Sequence, residues 1–142
     1  GVSLNRRLVR AAALLHDITK TRSLETGEDH ADTGGAYLAD LGFLRVAEVV
    51  RQHVALDSYP ENGPPSEAEV VNYADKRVLH DTITDLDARM DYIHTRYGAT
   101  AFHRDRITAL RRATSRLEAR LFKHLDFGPD ELVANMIPTT SV

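Results

Sequence analysis

The sequence predicts an all-α fold, a single helical bundle of about six helices that takes up residues 1–142 as one domain. Apolar residues recur at steps of three and four along most of the chain, which is the spacing of one face of an α-helix. No segment alternates polar and apolar residues for long enough to indicate a sheet. The length of 142 residues is enough for one sizeable core and too short for two ordinary domains.

The amino-terminal half is predicted to hold three helices. Residues 4–18 have the spacing of the first helix, and the polar residues 19–29 are predicted to form a loop. Residues 30–41 form the second helix, which ends at Gly42. Residues 43–54 are predicted to form the third helix, although their β-branched content leaves a short strand as the alternative.

The carboxy-terminal half begins with a loop and continues with three more helices. Proline and glycine over residues 59–65 exclude both a helix and a central strand. Ser66 and Glu69 then form a capping box, which predicts the start of the fourth helix. The apolar side of that helix is predicted to carry Val70, Val71, Ala74 and Val78. The last two helices are predicted over residues 83–97 and 107–125, each followed by a glycine.

Composition excludes several functional classes. The formal net charge of -3 and the 6% aromatic content argue against a nucleic-acid partner. The longest apolar run, residues 11–15, is too short to span a membrane, so we expect no membrane association and a cytoplasmic location. Because there is no cysteine, disulfides and thiolate ligands are excluded, and any metal must be bound by His, Asp or Glu.

Five polar residues lie on the apolar sides of different predicted helices. A carboxylate in such a position is costly to bury unless a cation pairs with it. Imidazole and carboxylate groups are ligands of divalent metals, and in helical folds they extend from facing helices into the core. The sequence therefore predicts a metal site, and its candidate ligands are His16, Asp17, His30, His53 and Asp75.

The segments that carry these residues also resemble a known family. The string Ala-Ala-Leu-Leu-His-Asp-Ile-Thr-Lys over residues 12–20, followed by His30, by Gln-His at 52–53 and by Tyr-Ala-Asp-Lys at 73–76, resembles the HD-domain superfamily of metal-dependent phosphohydrolases. The resemblance covers residues 4–97. It implies an HD-domain-like helical bundle.

The resemblance also implies roles for the five residues. His16, Asp17 and Asp75 would bind a first metal, and His30 and His53 would bind a second metal bridged by Asp17. One or two divalent ions are implied, and iron, manganese, cobalt, nickel and zinc are all compatible with these ligands.

The sequence departs from the family pattern at three places. The family's first ligand is a histidine on an earlier helix, and only three residues precede Leu4, so we expect the chain to be truncated at its amino terminus relative to the family. Thr19 stands where the family commonly has glycine. Ser58-Tyr59-Pro60 is not the Gly-Tyr-Pro signature of the cyclic-dinucleotide phosphodiesterase branch, which disfavours that branch.

The implied activity is hydrolysis of a nucleotide or another small phosphate ester by a metal-activated water. Asp17 and Lys20 are the predicted catalytic residues. Lys20 follows His16 by four residues and would bind the substrate phosphate if the first helix continues that far; the alternative is a solvated lysine at a helix end. Two other hypotheses stay open: a metal-binding helical regulatory module without catalytic activity, and a helical interaction domain without metal.

Other candidate groups are predicted to have no part in the site. His80-Asp81 repeats the dipeptide of the motif but lacks the preceding apolar run, which predicts a surface position. Arg51 and Arg77 are expected to form salt bridges. The histidines expected to be solvated or to cap helices are His94, His103 and His124.

Overall fold

The computed structural model describes residues 2–136 and confirms the all-α class. The chain is 61% helical, and its seven α-helices within the described residues are accompanied by only a two-stranded hairpin and one turn of 3-10 helix, Pro129–Glu131. The helices are α1 (Arg6–Leu15), α2 (Lys20–Thr26), α3 (His30–Asp40), α4 (Leu44–Arg51), α5 (Glu67–Lys76), α6 (Leu86–Tyr97) and α7 (Ala101–Phe122).

The chain divides into two compact units, Gly1–Asp75 and Lys76–Val142. The first unit contains α1 to α4 and all but the last residue of α5, and the second contains the hairpin, α6 and α7. The core of the first unit is formed by small and branched apolar side chains from four helices, which are Ala12, Leu38, Ala47, Val49, Val50 and Val71. Since α1, α3, α4 and α5 all contribute to this core, their inward faces converge on one region.

Helices α3 and α4 pack closely because α3 carries two buried glycines. A Cβ atom on Gly35 would lie 3.0 Å from the Cβ of Arg51 and 3.2 Å from the backbone oxygen of Ala47. Only a residue without a side chain allows the two backbones to approach so closely. This packing brings the amino-terminal end of α3 near the carboxy-terminal end of α4.

The predicted loop over residues 19–29 is wrong, since most of it forms helix α2. This helix buries only Ser23, and Leu24 is 81% exposed, so it has no apolar face for a periodicity argument to detect. Gly27 ends it in the left-handed conformation, with φ 75°. The helix predicted over residues 43–54 is confirmed as the shorter helix α4, and the strand alternative is therefore wrong.

A short hairpin separates α5 from α6, where the sequence predicted only helices. Strand β1 (Val78–Leu79) pairs antiparallel with β2 (Thr82–Ile83), with Val78 opposite Ile83. Val78 and Ile83 therefore lie outside the helices to which they were assigned, and α6 begins instead at Leu86. Strands of two residues are too short to show alternation, which explains why the sequence pattern did not reveal them.

The last long helix also begins earlier than predicted. Thr100 caps α7 by accepting a hydrogen bond from the backbone N–H of His103 at 3.2 Å, so the helix starts at Ala101 rather than near Ile107. None of the helices in the described part of the chain combines the length and the apolar character needed to cross a membrane.

The capping box predicted for α5 is present and provides a first test of the fold. The backbone N–H of Glu69 donates to the Ser66 hydroxyl at 3.2 Å, and the Ser66 N–H donates to the Glu69 carboxylate at 2.7 Å. We expect Ser66→Ala to lower the free energy of unfolding by about 1 kcal/mol, measured by urea denaturation. Ser58→Ala, at an exposed loop serine, is the control and should leave it unchanged; equal effects of the two would contradict a capping role.

Candidate metal centre

All five predicted ligand residues lie in the first unit. Helix α1 ends at Leu15, and the next four residues form tight turns in which the Ile18 N–H donates to Leu15 O and the Lys20 N–H donates to Asp17 O. His16 and Asp17 lie in these turns. The other three residues come from the start of α3, the segment just after α4 and the end of α5, and they are His30, His53 and Asp75.

His30 owes its position to a helix cap. The Asp29 carboxylate accepts hydrogen bonds from the backbone N–H groups of Ala31 and Asp32, at 2.8 and 3.1 Å. This fixes the start of α3 at His30. His30 thus occupies the end of α3 that the glycine packing brings close to the end of α4.

Asp17 lies at the centre of the cluster, and its two oxygens face different histidines. Oδ1 is 3.2 Å from His30 Nε2 and 3.6 Å from His53 Nε2, whereas Oδ2 is 3.5 Å from His16 Nε2. His16 Nε2 is also 3.5 Å from Asp75 Oδ1. The Nε2 atoms of His30 and His53 are 3.0 Å apart. The structure therefore brings all five residues into one continuous cluster.

Two of the histidine rings are oriented by backbone carbonyls. His16 Nδ1 donates to Ala13 O, and His53 Nδ1 donates to Val50 O, each at 2.7 Å. A carbonyl can only accept, so Nδ1 carries a proton in each ring and Nε2 is the nitrogen that faces the cluster. Nε2 donates to a carboxylate when the ring is protonated, and it offers a lone pair to a metal ion when the ring is neutral. Metal-binding histidines characteristically have such a partner at the other ring nitrogen. Sequence reasoning missed these contacts because a backbone carbonyl has no sequence signature.

The electrostatics of the cluster favour an ionised Asp17. Burial raises the pKa of this carboxyl, but hydrogen bonds from His30, His53 and Lys20 outweigh burial and hold it well below its usual range. The hydrogen bond to Asp75 raises the pKa of His16 above its usual value, against the opposing effect of burial. Asp17 is therefore ionised, which is the state in which a carboxylate binds a metal ion.

The donor chemistry fits a divalent metal ion. His16, Asp17 and His53 each offer one ligand atom, and these atoms lie within 4.8 Å of one another. Ligand atoms of one ion lie within about 4.4 Å of one another, and the ions of a two-metal site lie about 3.5–4 Å apart, so this spacing suits one ion or two ions that share Asp17. His53 is 1% exposed and the others are partly exposed, so the cluster is buried on one side and open on the other.

Lys20 contacts the cluster in a way that differs from the prediction. The first helix does not continue to Lys20, because the turns after Leu15 interrupt it. These turns place Lys20 Nζ 2.9 Å from Asp17 Oδ2, where it donates a hydrogen bond. The side chain is 50% exposed, so the ammonium lies on the open side of the cluster.

Comparison with known proteins identifies the family of the chain. The family model described as HD domain matches residues 1–126. The chain belongs to the HD domain family. Comparison of this HD domain with curated proteins and with solved structures gives no match.

The remaining candidate groups of the HD domain lie where the sequence predicted. His80 and Asp81 are exposed in the turn of the hairpin. Arg51 forms ion pairs with Glu48 and Asp57, and Arg77 lies 3.5 Å from Glu118. The other exposed histidines are His94, His103 and His124.

Proposed function

We propose that this HD domain is a metal-dependent phosphohydrolase that acts on a nucleotide or another small phosphate ester. The observation that carries the proposal is the convergence of three histidine Nε2 atoms on the two oxygens of Asp17. Family membership supports the class of reaction, and the donor set supports the metal.

The two oxygens of Asp17 divide the proposed ligands into two groups. His16, Asp17 Oδ2 and Asp75 form the first group, which we assign to a first divalent ion. His30, His53 and Asp17 Oδ1 form the second group, which we assign to a second ion. Asp17 would then contribute to both groups, with one oxygen for each. Iron, manganese, cobalt, nickel and zinc all suit these ligands.

Divalent ions held by these ligands would polarise a phosphoryl oxygen and would lower the pKa of a water molecule to about 7. The side chains around Asp17 keep its carboxylate ionised and leave one side of the site open. Asp17 stays ionised because its histidine and lysine partners lower its pKa. Buried His53 closes the inner side, and the substrate enters from the side where Lys20 is half exposed.

Lys20 is proposed to bind the substrate phosphate. Its ammonium is the cation nearest Asp17 on the open side, and charge-assisted hydrogen bonds to phosphate oxygens are strong. We expect Lys20→Met to lower kcat/KM by about tenfold or more while the metal content stays the same. Arg22→Met, which removes an exposed cation on the same helix that lies 3.6 Å from Glu28, is the control. Unchanged kcat/KM in Lys20→Met would exclude this role.

The first experiment tests the proposal itself. The purified protein is analysed for metals by plasma emission spectroscopy and assayed against phosphomonoesters, phosphodiesters and nucleotides with several divalent ions added. Metal in the protein together with hydrolysis of one substrate class is the expected result. Absence of metal under all conditions would contradict the proposed site.

The number of ions is tested through the second group of ligands. We expect His30→Ala and His53→Ala each to lower the metal-to-protein ratio by about one, because each removes a ligand of the second ion only. His94→Ala, at an exposed histidine on α6, should leave the ratio unchanged. An unchanged ratio in both site variants, with activity retained, would indicate a mononuclear site.

The alternative function is a metal-binding helical module without catalytic activity. The hydrogen bond between Lys20 and Asp17 favours it, since this contact holds the proposed substrate-binding cation on a ligand oxygen. Metal content without turnover of any substrate in the panel would support this alternative over hydrolysis.

A further inference from the structure

We propose that Thr19 is a positioning residue, which holds His30 against the turn that carries His16 and Asp17. The proposal deepens the proposed function and rests on it where it treats His30 as a metal ligand. Thr19 immediately precedes α2, whereas His30 is the first residue of α3, so the contact joins two separate parts of the cluster.

The contact is a hydrogen bond from a side chain to a backbone carbonyl. The Thr19 hydroxyl donates to His30 O at 2.9 Å and lies 2.8 Å from the hydroxyl of Thr33. Thr33 Oγ1 is 3.1 Å from Asp29 O, and Ser23 Oγ is 3.4 Å from Thr33 Oγ1. Each hydroxyl has one proton: Thr19 donates it to His30 O, Ser23 can donate to Thr33, and Thr33 has both Thr19 Oγ1 and Asp29 O as acceptors within reach. These five residues thus form one network across the two segments.

Gly34 lies directly beside this contact. A Cβ atom on Gly34 would lie 3.4 Å from Thr19 Oγ1, 3.7 Å from Ile18 Cγ2 and 3.3 Å from Val50 Cγ1. The turn after α1 and helix α4 therefore both contact α3 at this glycine, one turn after His30. Thr19 therefore lies where the turn after α1 packs against the first part of α3.

His30 needs such a contact more than the other two histidines do. His16 and His53 are oriented through their own Nδ1 atoms by backbone carbonyls. Within residues 2–136, the hydrogen-bonding contacts of the His30 ring are made by Nε2, which faces Asp17 and His53. The position of the ring therefore depends on the first turn of α3, and Thr19 holds that turn through the His30 carbonyl.

The test replaces the hydroxyl without changing the shape of the side chain. Thr19→Val keeps the branched Cβ and removes the donor, Thr19→Ser keeps the donor, and Thr21→Val is the control at an exposed threonine on α2. The probe is Co²⁺ alone, titrated into the metal-free protein and followed by visible absorption, with His30→Ala identifying the step that depends on His30. In parallel, ¹⁵N-histidine NMR of the metal-free variants reports the His30 ring.

We expect Thr19→Val to weaken the His30-dependent step about tenfold, the lower end of the range for residues that orient a metal ligand. Thr19→Ser should restore it, and Thr21→Val should not affect it. The His30 ring signals should shift in Thr19→Val and return in Thr19→Ser. Thr33→Ala, which removes the neighbouring hydroxyl, should weaken the His30-dependent step of Co²⁺ binding by a smaller factor. If Thr19→Val does not fold, Thr33→Ala serves as the test in its place.

Two results would overturn the proposal. One is that the Co²⁺ affinity of the His30-dependent step is unchanged in Thr19→Val, or in Thr33→Ala if Thr19→Val does not fold. The other is an equal loss in Thr19→Val and Thr19→Ser, which would indicate packing by the Cβ branch instead of a hydrogen bond. If the wild-type protein binds no Co²⁺, the proposed metal site fails, and the His30 signals of the metal-free variants still decide whether Thr19 positions the ring.

Discussion

Asp17→Ala is expected to remove both metal ions and to abolish hydrolysis. Asp17 lies against all three histidines, so its loss takes an oxygen ligand from both proposed ions at once. Metal ions contribute several kcal/mol to transition-state stabilisation, which corresponds to a loss in rate of about a thousandfold or more. Plasma emission spectroscopy of the purified variant and an assay with the active substrate measure the two effects.

The chain contains a matched control for this change. Asp81 follows His80 as Asp17 follows His16, but it lies exposed in the hairpin turn. Asp81→Ala should therefore keep wild-type metal content and activity. Circular dichroism of both variants verifies that the helices are retained. Equal metal content in the wild type and in Asp17→Ala would refute the assignment of the site.

Gly35→Val is expected to cause the largest loss of stability among single changes near the site. The new Cβ would meet the Cβ of Arg51 at 3.0 Å and the backbone oxygen of Ala47 at 3.2 Å, and a backbone atom can move only with its helix. Inserting methyl groups into such a contact costs about 1–3 kcal/mol, more than the helix propensity gained by replacing glycine. Urea denaturation measures the change in the free energy of unfolding.

The same variant should also disturb the second group of ligands. His30 and His53 lie at the ends of α3 and α4 that this packing brings together. We expect a lower affinity for the second ion, measured by Co²⁺ titration. Ala36→Val introduces the same side chain at the adjacent, exposed position of α3 and should have only the small cost of a β-branched residue in a helix. Similar destabilisation by both variants would show that the contact with α4 is not the cause.

The five cluster residues were predictable from the sequence because a polar residue on an apolar helical face is itself a signal. His30, His53 and Asp75 all occur at such positions of the predicted helices, and the structure brings them to His16 and Asp17, although His53 lies just after the end of α4. The start of α5 was predictable for a similar reason, since the capping box depends on two residues at a fixed spacing.

Other features had no comparable signal. Helix α2 buries only Ser23, so its residues have the composition of a loop. The hairpin rests on backbone pairing over two residues in each strand. The pairing of Lys20 with Asp17 depends on where α1 ends, and a shift of a few residues in that boundary changes which side chains meet. These features are determined by tertiary contacts and backbone hydrogen bonds, which a periodicity argument does not register.

The two oxygens of the Asp17 carboxylate face different histidines, and this arrangement has a thermodynamic consequence. Under the proposed function, two ions that share a carboxylate cannot bind independently, because the first ion changes the charge available to the second. If an ion bound beside His16 changes the affinity of the site beside His53 for its ion by some factor, an ion bound beside His53 changes the affinity of the site beside His16 by the same factor. Occupancy of the two positions is then a single coupled equilibrium, and the supply of metal sets the fraction of molecules that hold both ions.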